Sequence, residues 1–211
     1  TIVIPNIKDD SLKIRTNDEL PQSSGGRTIM TTEPKFIPEE AMEISLPDKA
    51  HLKVRMIDCV GYVVKDSMGY MEDDMPRMVK TPWSKEEMPF DKAAEIGTKK
   101  VINDHSTIGL VITTDGSISD ITRESYQEAE ERVVKELKAI NKPFVVLLNS
   151  IEPSSPAVIS LSEQLSGKYQ VPVIPVNCLT MEENEIKRVL AQVLFEFPIK
   201  EINIDMPKWV V

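Results

Sequence analysis

Asp58 and Gly61 are the residues whose types and spacing most directly suggest chemistry. They lie in the stretch VRMIDCVGY, residues 54–62, where an apolar run ends at the aspartate and the glycine follows three residues later. A carboxylate at the end of a buried strand can hold a magnesium-bound water, and a glycine N–H can approach a terminal phosphate unobstructed. The same D-x-x-G spacing is also compatible with an aspartate that simply ends a strand in a turn.

Two threonines precede this stretch in TIMTTEPKF, residues 28–36. Switch-type nucleotide hydrolases place a threonine in a mobile loop at this point, with its hydroxyl on magnesium and its backbone N–H on the γ-phosphate. Thr31 and Thr32 are therefore candidates for that role. The alternative is an ordinary extended loop before Pro34.

The phosphate loop that such a site requires has only a poor counterpart. PQSSGGRT, residues 21–28, has the length of G-x-x-x-x-G-K-[ST], but Pro21 replaces the first glycine and Arg27 replaces the lysine. A phosphate loop works because backbone N–H groups converge at a helix N-terminus, and here neither a strand nor a helix is predicted beside it. We interpret Ser23 to Gly26 as a flexible loop.

Asn149 follows an apolar run at the position where guanine-specific hydrolases carry N-K-x-D. Here the residues are Asn149, Ser150, Ile151 and Glu152, so the lysine is absent and glutamate replaces aspartate. Guanine selectivity is therefore not expected. His51 and His105 are too few and too far apart in the sequence to predict a metal cluster.

The elements that must position these residues follow an α/β pattern. A hairpin is predicted from the runs at 41–46 and 51–58, and residues 62–90 are predicted to form a long loop. A helix over 92–104 capped by Asp91 follows, and Ser125 with Glu128 fits a capping box. The apolar stripe of the next helix is predicted to be core and comprises Tyr126, Ala129, Val133, Leu137 and Ile140.

Further strands and helices alternate through the rest of the chain. PFVVLLNS at 143–150 reads as a strand buried on both faces, and a helix over about 156–168 precedes the strand VPVIPVN at 171–177. Pro175 places that last strand near an edge, and a final helix carries Ile186 and Val189. The pattern predicts a three-layer α/β sandwich around a mostly parallel sheet with one antiparallel hairpin.

In such a sheet, ligands lie beyond the carboxyl ends of the strands. The polar strand ends are Asp58, Thr113 to Asp115, Asn149 and Asn177.

Composition narrows the class of protein. The chain has 211 residues, a net charge of −9 and two cysteines, Cys59 and Cys178. We expect one domain over 1–200, with 201–211 beginning a linker or following domain. The negative charge argues against nucleic acid as a partner, and the cysteines read as buried thiols of a cytoplasmic protein. No apolar run spans a bilayer.

Long blocks of the sequence closely resemble the stage IV sporulation protein A family of endospore-forming bacteria. These blocks are DELPQSSGGRTIMTTEPKF, VRMIDCVGY, PFDKAAEIGTKKVINDHSTIGLVITTDGSI and AEERVVKELKAINKPFVVLLNS. The resemblance implies a P-loop NTPase fold of the translation-factor-like (TRAFAC) class that hydrolyses ATP with Mg²⁺. It also implies that hydrolysis drives self-assembly into the basement layer of the spore coat.

The family further implies partners and site residues. Its members coat the mother-cell side of the forespore outer membrane, associate with other spore coat proteins and are recruited by a small amphipathic membrane peptide. By position, Thr31 and Thr32 match the sensor threonines, with Thr32 and Asp58 on the metal. Gly61 matches the phosphate-sensing glycine. Asn149 is a candidate for nucleotide binding because of its place at the end of the strand where related hydrolases carry N-K-x-D.

This sequence departs from the family pattern at its start. The family's G-x-x-x-x-G-K-S loop precedes the point where Thr1 begins, so we expect a fragment that binds ATP poorly by itself. Two other functions stay open. One is a non-catalytic interaction module of a coat polymer, and the other is a GTPase switch, which Ser150 and Glu152 disfavour.

Overall fold

The computed structural model describes residues 35–45, 51–67, 69–72, 75–81 and 84–197. The strands are β1 (Lys35–Ser45), β2 (His51–Asp58), β3 (Met71–Glu72), β4 (Met75–Pro76), β5 (Met78–Thr81), β6 (Ser84–Pro89), β7 (Gly109–Thr114), β8 (Phe144–Asn149) and β9 (Val173–Val176). The helices are α1 (Phe90–Lys100), continued by a π-helical segment (Val101–His105), α2 (Arg123–Ala139), α3 (Pro156–Tyr169) and α4 (Glu183–Phe195).

The centre of the fold is a parallel sheet with the strand order β7-β8-β9. The middle strand, β8, is buried from Phe144 to Leu148, as its continuous apolar sequence predicts for a strand covered on both faces. The position of β9 at an edge is confirmed. Pro175 is tolerated there because an edge strand can omit one ladder N–H without breaking the sheet.

Helices cover both faces of this sheet. On one face, Val146 and Leu148 pack in a core with residues of α2 and α3. On the other face, Leu147 of β8 packs against Val176 of β9 and Val189 of α4. The alternation along β8 therefore separates two apolar cores, and the predicted α/β class with three layers is confirmed for this part of the chain.

The predicted hairpin is confirmed as β1 paired antiparallel with β2, with a register shift between Ile37 and Met42. Within the described residues it forms a two-stranded sheet of its own and is not hydrogen-bonded to β7, β8 or β9. The hairpin and the parallel sheet are thus separate units of backbone pairing.

The prediction of a long loop over 62–90 is wrong. Two short antiparallel hairpins, β3 with β4 and β5 with β6, occupy much of this range. Their strands are mostly exposed and only two to six residues long, so they leave no sustained alternation of apolar and polar residues.

Two predicted helix starts are also wrong. Asp91 lies in the first turn of α1, whose N-cap is Pro89, so the helix begins two residues earlier than predicted. Ser125 does not begin a capping box, because α2 is capped at Thr122 and Ser125 lies buried inside the helix. In both cases the helix begins before the residue whose side chain suggested a cap.

The predicted apolar stripe of α2 is confirmed only in part. Leu137 is buried and Val133 packs against the core. Ile140 lies beyond the end of the helix and is exposed, whereas Val134 and the charged Glu130 are buried. The buried face of α2 is therefore rotated relative to the predicted stripe. The prediction missed this face because it considered apolar residues only, and Glu130 is charged.

The helix α3 matches its prediction closely. Its N-cap is Ser155, whose hydroxyl accepts a hydrogen bond from the Val158 N–H at 3.4 Å, and Pro156 occupies the first turn. The helix ends at Gln170, which adopts a left-handed conformation with φ of 52°. The observed range agrees with the predicted helix over about 156–168.

Candidate functional site

Asp58 is the last residue of β2, where it pairs with Lys35 of β1. The residue as a whole is exposed, but its carboxyl is partly buried, and this burial raises the pKa of the carboxyl above the ordinary value of 3.8. A hydrogen bond from the Cys59 backbone lowers the pKa but does not outweigh burial. The ion pairs of the described residues do not include Asp58. A cation beside this carboxylate would favour its ionised form, so the residue fits a magnesium site.

Among the described residues, Asp58 is not part of a cluster of metal-binding side chains that could supply the other ligands of such a cation. Within the described part of the chain, no three His, Cys, Asp or Glu side chains are grouped closely enough to hold a metal ion. Magnesium in nucleotide sites commonly keeps several waters and binds one or two carboxylates together with phosphate oxygens. A single protein carboxylate is therefore compatible with magnesium held mainly by nucleotide and water.

Gly61 adopts a positive φ of 78°. A Cβ placed on this residue would meet nothing within 4 Å, so space does not require glycine here. The backbone conformation does, because side chains other than those of glycine disfavour this region. The conformation therefore favours glycine at this position, and the contact of Gly61 with a phosphate stays a prediction.

The carboxyl ends of β7 and β8 are joined by side chains that follow them directly. The Ser150 hydroxyl donates to Asp115 Oδ2 at 2.7 Å, and the Ser117 hydroxyl donates to Asp115 Oδ1 at 2.6 Å. Burial alone would raise the pKa of the Asp115 carboxyl, but the hydrogen bonds from Ser117 and Ser150 outweigh it and lower the pKa. Asp115 is thus held as a carboxylate at the sheet edge.

A second set of hydrogen bonds joins the ends of β8 and β9. Asn149 Oδ1 accepts from the Cys178 N–H at 2.9 Å, and Asn177 Nδ2 donates to the Ile151 carbonyl at 3.2 Å. Asn177 Oδ1 accepts from the Leu179 N–H at 3.0 Å. We call the three loops 115–117, 149–152 and 177–180 the sheet-edge rim.

The rim presents apolar side chains as well as polar groups. Ile151 is 58% exposed and Leu179 is 87% exposed. Ligand pockets combine apolar walls with a few fixed polar groups, and parallel sheets bind ligands at this edge. The rim therefore has the composition of one wall of a ligand site.

The predicted site residues fall into three groups. Thr31 and Thr32 lie outside the described residues, as do the PQSSGGRT loop and the segment 198–211. Asp58 and Gly61 follow the β1–β2 hairpin, whereas Asn149 belongs to the parallel sheet. The described part of the structure therefore places Asp58 and Asn149 on separate sheets.

Ser150 is a residue whose contribution the sequence concealed. At the position of the N-K-x-D lysine, it is 1% exposed and is bonded to both Asp115 and the Glu152 N–H. Its position directly after a parallel strand, opposite the polar end of β7, was the signal that could have identified it. Both of these hydrogen bonds of the Ser150 hydroxyl lie within the sheet-edge rim.

Cys59 and Cys178 are both partly buried and both free. Burial raises the pKa of each thiol, which disfavours the reactive thiolate. The prediction of two thiols without a disulfide is confirmed. In the described ranges, no helix is long and apolar enough to cross a membrane.

Together these features define an α/β domain with a parallel sheet, a polar rim at its carboxyl edge and a D-x-x-G motif that follows a hairpin. A model of the family described as "Stage IV sporulation protein A, ATPase domain" matches residues 1–198. The chain belongs to this family.

Curated relatives agree with this assignment. The chain is 55% identical to stage IV sporulation protein A of Clostridioides difficile over 209 residues, which is 99% of the chain and 43% of that relative. It is 49% identical to the Bacillus subtilis protein and 50% identical to the Bacillus anthracis protein, each over 210 residues. The chain spans less than half the length of these relatives.

Proposed function

We propose that this chain forms part of the ATP-hydrolysing domain of a spore-coat scaffold protein. The observation that carries the proposal is the D-x-x-G motif at the end of β2, in a chain that matches an ATPase-domain family over residues 1–198. The Asp58 carboxylate and the positive φ of Gly61 fit the magnesium and phosphate end of a nucleotide site. The proposed fold is that of a P-loop NTPase of the TRAFAC class.

Each residue has a proposed part in this reaction. Asp58 orients a magnesium-bound water, Gly61 offers its backbone to the terminal phosphate, and Thr31 or Thr32 senses that phosphate. Magnesium would neutralise charge on the phosphates as the γ-phosphoryl group is transferred to water. Asn149 and the rim face the base, where the exposed side chains of Ile151 and Leu179 offer apolar surface to a planar ring.

ATP is the proposed substrate rather than GTP. Guanine-specific hydrolases use a lysine at the position of Ser150, but Ser150 is buried and bonded to Asp115 at 2.7 Å. It therefore cannot extend along a bound base as a lysine stem does. A GTPase switch would show a clear preference for GTP in competition with ATP.

Hydrolysis would serve assembly in the complete protein. We propose self-polymerisation into the basement layer of the coat on the mother-cell side of the forespore outer membrane, with an amphipathic membrane peptide and other coat proteins as partners. The negative charge of −9 disfavours nucleic acid as an alternative partner. The second candidate is a non-catalytic module of the same polymer.

The test uses the full-length protein and measures ATP and GTP hydrolysis in the presence of Mg²⁺. We expect Asp58→Asn to lower kcat for ATP by at least about tenfold, a loss of about 1.4 kcal/mol of transition-state stabilisation. Asp104→Asn is the matched control, because Asp104 is an exposed aspartate of the π-helical segment. Equal turnover in both variants would reject the role of Asp58.

Absence of turnover in the wild-type protein, with polymerisation intact, would favour the non-catalytic module.

A further inference from the structure

Tyr62 directly follows Gly61, and its side chain is hydrogen-bonded to helix α2. Its side chain is nearly inaccessible, at 8% exposed, and its hydroxyl donates a hydrogen bond to the Glu136 carboxylate. The Arg132 guanidinium lies over the Tyr62 ring, 4.1 Å from the centroid. A cation on the ring face and a carboxylate on the hydroxyl together fix both the plane and the direction of the ring.

Arg132 extends this attachment to a second helix. It is ion-paired with Glu95 of α1 and with Glu136 of α2, the latter at 3.4 Å. Tyr62 therefore packs against a charged network that joins two helices. The proximity of Glu136 raises the pKa of the Tyr62 hydroxyl in addition to the effect of burial, so the hydroxyl keeps its proton and stays a donor.

A second attachment lies four residues further along. The Ser125 hydroxyl of α2 donates to Asp66 Oδ2 at 2.7 Å, and Asp66 adopts a positive φ of 64°. Between these attachments, a cleft of about 300 Å³ opens beside Val63, Lys65 and Tyr70. The segment is therefore attached to α2 through the side chains of Tyr62 and Asp66.

These attachments bear on Gly61 because of its position in the chain. Asp58 is held by the pairing of β2 with β1, and Tyr62 is held by α2, so only Cys59, Val60 and Gly61 lie between the two fixed points. Gly61 itself has the backbone freedom of glycine. The two anchors therefore limit the conformations open to the Gly61 backbone, which is also hydrogen-bonded to the Cys59 thiol.

We propose that Tyr62 is a positioning residue for nucleotide hydrolysis, which acts by holding Gly61 in the orientation that meets the terminal phosphate. This inference rests on the proposed ATPase function. The Tyr62 side chain contacts Glu136 and Arg132 of α2, so it would act through the backbone of its neighbour. Its effect is expected on the chemical step more than on ATP binding, since the terminal phosphate is the group that changes during transfer.

The experiment measures kcat and KM for ATP in the full-length protein and in single variants. Tyr62→Phe removes the hydroxyl but keeps the ring beneath Arg132, and it should lower kcat about threefold to tenfold with KM changed less than about twofold. Tyr62→Ala removes both contacts and should lower kcat further. Glu136→Gln keeps an oxygen that can accept the hydroxyl proton, so it should lie closer to the wild type than Glu136→Ala.

Tyr126→Phe is the matched control. Tyr126 is also on α2, and its hydroxyl lies 3.2 Å from that of Ser119 rather than against the segment after Gly61. Hydrogen exchange of residues 59–66, measured with and without ATP, provides a readout other than turnover. In Tyr62→Phe, protection of these amides by ATP should decrease, while Tyr126→Phe should match the wild type.

The possible outcomes separate the two proposals. One outcome is that the wild type hydrolyses ATP, while Tyr62→Phe and Tyr126→Phe do not differ in kcat or in hydrogen exchange of residues 59–66. The role of Tyr62 is then overturned, and the ATPase proposal stands. The role is also overturned if the loss in Tyr62→Phe disappears at lower temperature, because instability would then account for it. A wild type without turnover rejects the ATPase proposal itself, and the positioning role with it.

Discussion

Arg123 and Glu130, both on α2, form a buried ion pair through two hydrogen bonds of 2.6 and 2.8 Å. Their side chains are 11% and 2% exposed. Arg123 also donates to the Thr113 hydroxyl of β7 at 3.0 Å, and the Tyr169 hydroxyl of α3 donates to Glu130 at 2.5 Å. The pair therefore connects two helices and the strand that leads to Asp115.

Removing one partner of this pair should destabilise the domain strongly. Arg123→Met leaves Glu130 buried without its cation, and we expect the free energy of unfolding to fall by about 3–5 kcal/mol. Adding Glu130→Gln should recover part of the loss, because no buried charge then remains. Thermal or urea unfolding of the full-length protein, following the transition of this domain, measures both effects.

The control for this prediction is an exposed pair, Lys80 with Glu87, at 3.8 Å and with side chains 84% and 54% exposed. Glu87→Gln should change stability by less than about 1 kcal/mol, because solvent screens exposed pairs. An equal loss from Arg123→Met and Glu87→Gln would contradict the importance of the buried pair.

Glu130 should also make the domain sensitive to acid. Burial alone would raise the pKa of its carboxyl, but hydrogen bonds from Arg123, Thr113 and Tyr169 outweigh burial and hold the folded pKa below the ordinary 4.5. The unfolded state therefore takes up a proton first as the pH falls. The stabilisation is complete above pH 4.5 and is lost as the pH falls through the folded pKa.

Unfolding temperatures of the wild type and Glu130→Gln, measured from about pH 6 to about pH 3, test this dependence. The variant has no carboxyl at this position, so its stability should fall less steeply in the acid part of that range. Parallel slopes in the two proteins would show that other groups account for the acid sensitivity.

Two glycines should respond in opposite directions to the same substitution. Gly116, just after Asp115, has a φ of 93°, and a Cβ on it would lie 2.9 Å from the Arg123 backbone nitrogen. We expect Gly116→Ala to lower the free energy of unfolding by about 1–3 kcal/mol, because the backbone conformation and the contact are both unfavourable for alanine.

Gly167 is the matched position, because it lies within α3 and a Cβ on it would meet nothing within 4 Å. Gly167→Ala should stabilise the protein by about 0.5–1 kcal/mol, since alanine restricts the unfolded chain and favours helix. Thermal unfolding of Gly116→Ala and Gly167→Ala, measured side by side, tests both predictions. A stabilising Gly116→Ala would refute the close approach of the rim loop to α2.

Much of the fold could be predicted from local patterns. The buried strand β8, the capped helix α3 and the β1–β2 hairpin each carry a signal within a few consecutive residues. The hairpins β3–β4 and β5–β6 could not be predicted, because exposed strands of a few residues have no apolar face to reveal them. The start of α2 was misplaced because Ser125 resembled a cap, although its hydroxyl bonds Asp66 across the fold.

The sequence by itself determined the α/β class, the D-x-x-G motif of Asp58 and Gly61, and the family to which the chain belongs. These follow from short-range periodicity and from blocks of residue identity. The tertiary structure alone decided that Ser150 bonds Asp115 and that Tyr62 bonds Glu136, pairs separated by 35 and 74 residues in the chain. Such partners cannot be predicted locally, because folding brings them together only when burial of the apolar cores outweighs the chain entropy lost.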